Sequence, residues 1–258
     1  MRLQTRVVFS ESLKCFVDSE TGQRFRGVTA ALRLAYWSDY CFKTAKTDGT
    51  EGTGNNRYVK GPTASKRGSL VDQQIDRIIQ GKPLDGKPHA FTVLAFKAFR
   101  AAALQPVASQ VVVFDQERRL ATAVDILCVN SERQHVVVEL KCSSNFKYHA
   151  FSGPMKHEFS TLRNSIANQH AVQTLVTRAL FERTYGAKAV AAVLKINQLG
   201  ASWIPVPRPQ LAMTPVLDRL SAKAKAASTQ KSRGHTGRKG RKVAKPRLAA
   251  RAKSMRAR

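Results

Sequence analysis

Apolar residues alternate loosely with polar ones over Val7 to Phe16, and two later stretches, Val124 to Val129 and His135 to Lys141, are rich in β-branched and apolar residues. Alternation of this kind, with β-branched residues, predicts strands. The polar Asn130 to Gln134 between the second and third stretches has the composition of a hairpin loop. Ser109 to Phe114 predicts a further strand, so Ser109 to Lys141 reads as a three-stranded antiparallel meander. Spacing near 3.6 predicts helices elsewhere. One enters at Thr29 and runs through Ala31, Leu34, Ala35 and Tyr36; others span Gly68 to Gln80, Phe91 to Leu104 and Thr161 to Tyr185. Gly186 is placed to end the last of these, and Ala189 to Ile196 and Trp203 to Val206 predict two closing strands.

The polar stretches between these elements divide the chain. Thr44 to Ser65 is rich in Gly, Thr, Asn and Lys and reads as a long mobile loop, extending to about residue 67. Residues 1–215 read as one domain and 216–258 as a disordered tail. From Ser221 the chain has no aromatic residue and too few large aliphatics to bury a core.

Charge sharpens this picture. The chain carries a net +27, and fourteen of its 44 Lys and Arg lie from Ser221 onward with no acid among them, leaving thirty basic against seventeen acidic residues on the body. A basic body with a more basic tail points to a polyanion partner, nucleic acid before others, with DNA and RNA both open. No apolar run approaches a membrane span. The cysteines Cys15, Cys41, Cys128 and Cys142 lack CxxC or metal-ligand spacing and read as reduced thiols of an intracellular protein, with no secretory leader. Arg238, Lys239, Arg241 and Lys242 fit a nuclear-import cluster or a non-specific DNA contact equally well.

The hairpin carries the chemistry. If Val129 faces His135, then Leu127 faces Val137 and Asp125 faces Glu139, with about 4.5–5.5 Å between the Cβ atoms of the two acids. Lys141 shares the face of Glu139. Val124, Ile126, Cys128, Val136, Val138 and Leu140 form the opposite, packing face. Opposed carboxylates repel unless a cation lies between them, and a hard divalent ion such as Mg²⁺ accepts one or two carboxylates with water and substrate phosphate. A neighbouring lysine can orient water or neutralise developing charge. The alternative is an exposed hairpin face with an ordinary ion pair.

Asp125, thirteen intervening residues and Glu139-Leu140-Lys141 resemble the PD-(D/E)xK nuclease motif. The strand Leu120 to Ile126 is similar to that bearing the first acid in the branch containing the RecB nuclease domain and lambda exonuclease. The resemblance covers roughly Phe25 to Pro207. It implies an α/β, restriction-endonuclease-like core with a mixed central sheet flanked by helices, and Mg²⁺-dependent deoxyribonuclease activity with Mn²⁺ as substitute. It also implies metal ligation by Asp125, Glu139 and the Leu140 backbone carbonyl, and water positioning by Lys141. The branch carries Q-x-x-x-Y on the helix after the ExK strand. Gln173 fits that glutamine by its distance from Tyr185-Gly186 better than Gln169 does, although Thr177 stands where the tyrosine would be. In the family an early helix opening with Gly supplies a side chain near the metal, and Asp72 falls there, with Asp76 one turn on; both equally suit a helix start facing solvent.

Lys60, Lys66 and Arg67 are candidate phosphate contacts, and Asn145, Lys147, Tyr148 and His149 are placed to approach the scissile phosphate. Trp37, Tyr40 and Phe42 suit core packing better than base stacking. The resemblance implies a DNA nuclease of replication, recombination or repair, found in the nucleus or another DNA-containing compartment, that of a virus-infected cell included. It leaves open exo- or endonuclease action and a homo-oligomeric state. The alternative is a catalytically silent DNA-binding protein on the same fold.

Overall fold

The structure, a computed structural model, describes residues 5–37, 62–142, 148–207 and 212–222. It is an α/β protein: a mixed sheet with helices on both faces. In chain order the elements are β1 (Val7–Ser10), β2 (Cys15–Asp18), β3 (Arg24–Gly27), α1 (Val28–Ala35), α2 (Pro62–Ile79), α3 (Ala90–Ala101), β4 (Gln105–Asp115), β5 (Leu120–Val129) and β6 (His135–Cys142). There follow β7 (Phe151–Pro154), β8 (Arg163–Ser165), α4 (Ile166–Tyr185), β9 (Ala189–Asn197), β10 (Gly200–Ile204) and α5 (residues 213–222).

The β4–β5–β6 meander is antiparallel, and β6 then pairs in parallel with β9 after the α4 crossover. β10 folds back antiparallel on β9, while β7 and β8 make a separate ribbon. β5 is the hub. One of its edges holds β4 along its length, and the other is divided between β3, parallel at Leu120 and Ala121, and β6, antiparallel from Ile126 to Val129. Among the described residues, no strand pairs with that second edge between Thr122 and Asp125.

Both faces of the sheet are covered. α1, α4 and α5 bury Leu32, Val172, Leu175, Val176 and Leu217 against Leu120, Val124, Leu127 and Val137. α2 and α3 bury Val71, Ile75, Phe91 and Phe99 against Ile126, Cys128, Val136, Val138 and Leu140. The expectation that only one hairpin face packs is therefore corrected. Leu127 and Val137, on the face of Glu139, are core residues beneath α4.

Local chemistry explains most element ends. The Ser165 hydroxyl accepts from the Asn168 N–H at 3.2 Å, and Gly186 takes φ 65, which only glycine adopts without strain, to stop α4. α4 thus starts at Ile166, five residues later than its periodicity predicts, because Arg163–Ser165 pairs with β7. His89 Nδ1 caps α3 by accepting from the Phe91 N–H at 3.1 Å. α1 is entered at Gly27 with no side-chain cap, so Thr29 does not cap it. β4 begins at Gln105, ahead of the expected Ser109; Pro106 is tolerated on this edge strand, with a bulge before Ala108.

Two boundaries move. α2 begins at Pro62, a residue whose fixed φ suits the first helical position, so residues 62–67 are helix rather than the end of a loop. Residues 44–61 lie outside the described residues. The compact unit runs through Ala224 rather than 215, because Val216, Leu217 and Leu220 on α5 are fully buried in the core under α4. Arg118 pairs with Asp218 of α5 at 2.7 Å, and Arg219 of α5 reaches Glu158 at 2.8 Å. The disordered-tail expectation beyond this point concerns residues outside the description. Trp37 is buried, in line with a packing role; Tyr40 and Phe42 are not described.

Candidate active site

The hairpin closes with the expected register, Val129 opposite His135 and Leu127 opposite Val137. The ladder then stops at Ile126 and Val138, one pair short of the two acids. At this point Gln110, which lies opposite Asp125 on β4, adopts a left-handed φ of 51. Packing changes face there in both strands without a change of register. Val111 and Val124 face α4, as do Ala108 and Leu127, although uninterrupted alternation would put these two pairs on opposite faces. Asp125 stands at this switch, beside the unpaired length of β5 edge. Its Oδ2 accepts the Leu140 N–H at 2.9 Å, a donor that an uninterrupted ladder would have given to β5 backbone.

Glu139 is 2% exposed beneath α4. Its Oε1 accepts from Gln173 Nε2 at 2.6 Å and also forms a close ion pair with Lys141 Nζ. Gln173 is thus bonded directly to the Glu139 carboxylate. The Thr177 hydroxyl, in place of the family's tyrosine, donates to the Gln173 carbonyl at 2.9 Å within the helix. Gln169 turns elsewhere and donates to Asn164 at 2.8 Å.

Asp72 approaches from α2 on the other flank, near enough that its charge acts on Glu139 and that of Asp125 acts on it. Asp76 is held by the Ser109 hydroxyl of β4 and the Gln80 amide, so it fastens α2 to the sheet. Leu140 sends its side chain into the α2–α3 core between the two functional side chains of β6.

Crowding of acids sets the protonation of the site. Burial, then the Asp125 charge, pushes Glu139 up from 4.5 to about 7 against the pull of Lys141. Burial, then Asp125, pushes Asp72 up to about 6, and burial also raises Asp125. Burial alone would lower the Lys141 ammonium; Glu139 and Asp125 reverse that and hold it protonated well above its usual range. Three carboxylates therefore share one lysine, an excess of negative charge that a divalent cation would relieve. Among the described residues, no three His, Cys, Asp or Glu side chains stand in a geometry that would ligate an ion by themselves. Two carboxylates with main-chain oxygen and water suffice for Mg²⁺, so the donors present fit that ion.

Of the proposed phosphate contacts, Lys66 is exposed on α2. Arg67 lies with its guanidinium 5.3 Å from the Phe91 ring centroid, and its buried Nε has no hydrogen-bond partner among the described residues. Lys60, Asn145, Lys147, Arg238, Lys239, Arg241 and Lys242 lie outside the described residues. The His149 and Tyr148 rings meet edge to face with 5.4 Å between centroids. Sequence reading misses two neighbours of the site, His170 and Lys195. His170 sits one helical turn before Gln173 and bonds Tyr148 through Nδ1 at 2.7 Å. Lys195 is the register partner of Lys141 on β9. A histidine three residues before the chosen glutamine on one helix face was the available signal. No family model matches this chain, and no curated protein matches it.

Proposed function

We propose that the chain is a Mg²⁺-dependent DNA nuclease of the PD-(D/E)xK class on a restriction-endonuclease-like core. One observation carries the reading: Asp125, Glu139 and Lys141 of the hairpin and Gln173, the glutamine matched to the resembled pattern, come together where the β5–β6 ladder opens. The order helix, antiparallel meander, helix and parallel strand supports the same class.

In this proposal Asp125, Glu139 and the Leu140 carbonyl hold the metal, with Asp72 as a further ligand from α2. The bound ion supplies Lewis-acid activation of the phosphodiester and a lowered pKa for water. Lys141 orients the attacking water and offsets charge that builds on the phosphate oxygens. Its firmly protonated state suits it to these roles and not to that of a base. Gln173 fixes the Glu139 carboxylate from α4 through its bond to Oε1. Arg67 and Lys66 on α2 contact the DNA backbone, and the basic tail adds affinity without base specificity. Work in replication, recombination or repair, and a DNA-containing compartment, belong to the same proposal.

The test compares wild type with Glu139→Gln and Lys141→Ala on linear, circular and single-stranded DNA and on RNA, with Mg²⁺, Mn²⁺ or EDTA. Metal-dependent cleavage of DNA, lost in both variants with binding retained, supports the nuclease. Tight binding with no cleavage under any metal condition replaces it with the DNA-binding reading.

A further inference from the structure

Lys141 and Lys195 are register partners on the parallel strands β6 and β9, whose backbones run about 4.8 Å apart. Register partners share a face. Ala189 and Ala191, which pair with His135 and Val137, pack in the α4-side core, while Leu194 and Ile196 enter the opposite core. Lys195 therefore emerges beside Lys141, on the side away from Asp125. Like charges placed side by side in a sheet destabilise it, so a second lysine here needs an explanation.

Lys195 is held, and held by a device built for a cation. Its Nζ lies 4.3 Å from the centroid of the Tyr148 ring, within the range of a cation–π contact. That ring is fully buried, and three contacts fix it: the Tyr148 hydroxyl bonds His170 Nδ1 at 2.7 Å, the two rings lie 5.5 Å apart, and the Tyr148 carbonyl accepts the Ala167 N–H at 3.0 Å from the start of α4. Burial, then the nearby Lys141 charge, pushes His170 down to about 3, so His170 remains neutral and adds no positive charge. Burial raises the Tyr148 phenol, so the ring stays neutral as well. The platform is rigid and uncharged, and it presents one ammonium.

Across three adjacent strands the site changes sign, from Asp125 on β5, through the Glu139–Lys141 pair on β6, to Lys195 on β9. A polyanionic strand lying over this gradient is repelled by the carboxylates unless a cation intervenes, and is attracted toward the Lys195 end. We propose that Lys195, staged on Tyr148, is a phosphate-binding residue that holds the DNA backbone phosphate adjacent to the cleaved one. The adjacency rests on the nuclease reading, whereas the phosphate contact does not.

The experiment measures affinity of the full chain for single-stranded DNA across a KCl series in EDTA, and steady-state cleavage in Mg²⁺, for wild type, Lys195→Met and Lys195→Arg, with thermal melting as the check on folding. Methionine keeps the stem on Tyr148 and removes the charge. The expected result is a log–log salt slope shallower by about 0.7 in Lys195→Met, the value of one phosphate on a single strand. Lys195→Arg restores the slope, and KM rises several-fold in Lys195→Met with kcat little changed. An unchanged slope in a folded Lys195→Met overturns the proposal, as does a loss confined to kcat, which would put Lys195 on the reacting phosphate or in a structural role. If wild type cuts no DNA while the slope still falls in Lys195→Met, the nuclease reading fails and the phosphate site stands.

Discussion

Melting the metal-free protein at a series of pH values is expected to give a midpoint that falls as pH rises from about 4.5 to about 7, the interval over which Glu139 is raised on folding. A carboxyl that binds its proton more tightly in the folded state contributes stability that is complete below the unfolded value of 4.5 and is lost as pH rises through about 7. At about 1.4 kcal/mol per pH unit the loss is about 3 kcal/mol. Glu139 is 2% exposed, so solvent does little to screen it. Asp72, raised from 3.8 to about 6, acts in the same direction. For a unit of this size about 3 kcal/mol corresponds to roughly 5–10 °C. The general repulsion within a +27 chain eases as pH rises and has the opposite sign, so a fall cannot come from net charge.

Two additions make the assay specific to the site. Mg²⁺ at about a hundred times its Kd stabilises by about 2.7 kcal/mol where the carboxylates are ionised, near pH 8, and by much less near pH 5, where protons occupy them. Glu139→Gln, which keeps the shape and removes the charge, is expected to flatten most of the pH dependence and shrink the Mg²⁺ response. A metal-free midpoint that holds level or rises across the window, or an equal Mg²⁺ response at both pH values, refutes the electrostatic account of the site.

The other predictions use stability and cleavage together. Ending the chain after Ala224 leaves the melting midpoint unchanged, whereas ending it after Ala212 removes the burial of Val216, Leu217 and Leu220, about 1.5–3 kcal/mol each, and lowers the midpoint sharply. Gln173→Leu leaves Glu139 without its amide donor and costs about 1–3 kcal/mol in chemical denaturation, with cleavage reduced. Gln110→Gly relieves a left-handed φ and stabilises by up to about 1 kcal/mol with cleavage retained, while Gln110→Val, β-branched at that φ, destabilises by more and lowers cleavage; denaturation and cleavage assays on both variants check this.

The hairpin register is legible because the apolar runs and the polar loop between them admit one set of opposed pairs, and that set is found from Val129 and His135 to Ile126 and Val138. Asp72 and Gln173 come from the resemblance and not from register; the structure sets Gln173 on Glu139 and brings Asp72 within reach of the charge of Asp125. The face change at Asp125 is not legible. It depends on a left-handed φ at Gln110, and glutamine gives no signal for that conformation. Alternation therefore leaves Leu127 and Val137 on an open face that α4 in fact covers. α5 is hidden by its neighbours: Val216, Leu217 and Leu220 make a helical stripe, but it falls between a proline-rich stretch and the basic tail, whose compositions dominate any window. The Tyr148, His170 and Lys195 cluster joins a turn, a helix and the next parallel strand, and only the tertiary fold brings these together.

The place of the site follows from the way one strand edge is shared. β3 and β6 both pair with the same edge of β5, one in parallel at its start and one antiparallel at its end, so they diverge and leave a length of that edge unpaired. Unpaired backbone is costly when buried, and a stable core would close the gap or fill it with apolar side chains. Here the gap receives the Asp125 carboxylate, which takes over a ladder hydrogen bond from Leu140. Glu139 stands beside it under α4, and its conflict with Asp125 is relieved only in part by Lys141 and Gln173. Both β4 and β5 change face at this level, and the strained Gln110 is maintained opposite Asp125. Strain, broken pairing and uncompensated charge each lower stability, and they coincide at one level of the sheet. The face change lets Val111, Val124, Ala108 and Leu127 all pack under α4, but packing leaves the crowded carboxylates unrelieved, and that excess charge is what the proposed cation would offset.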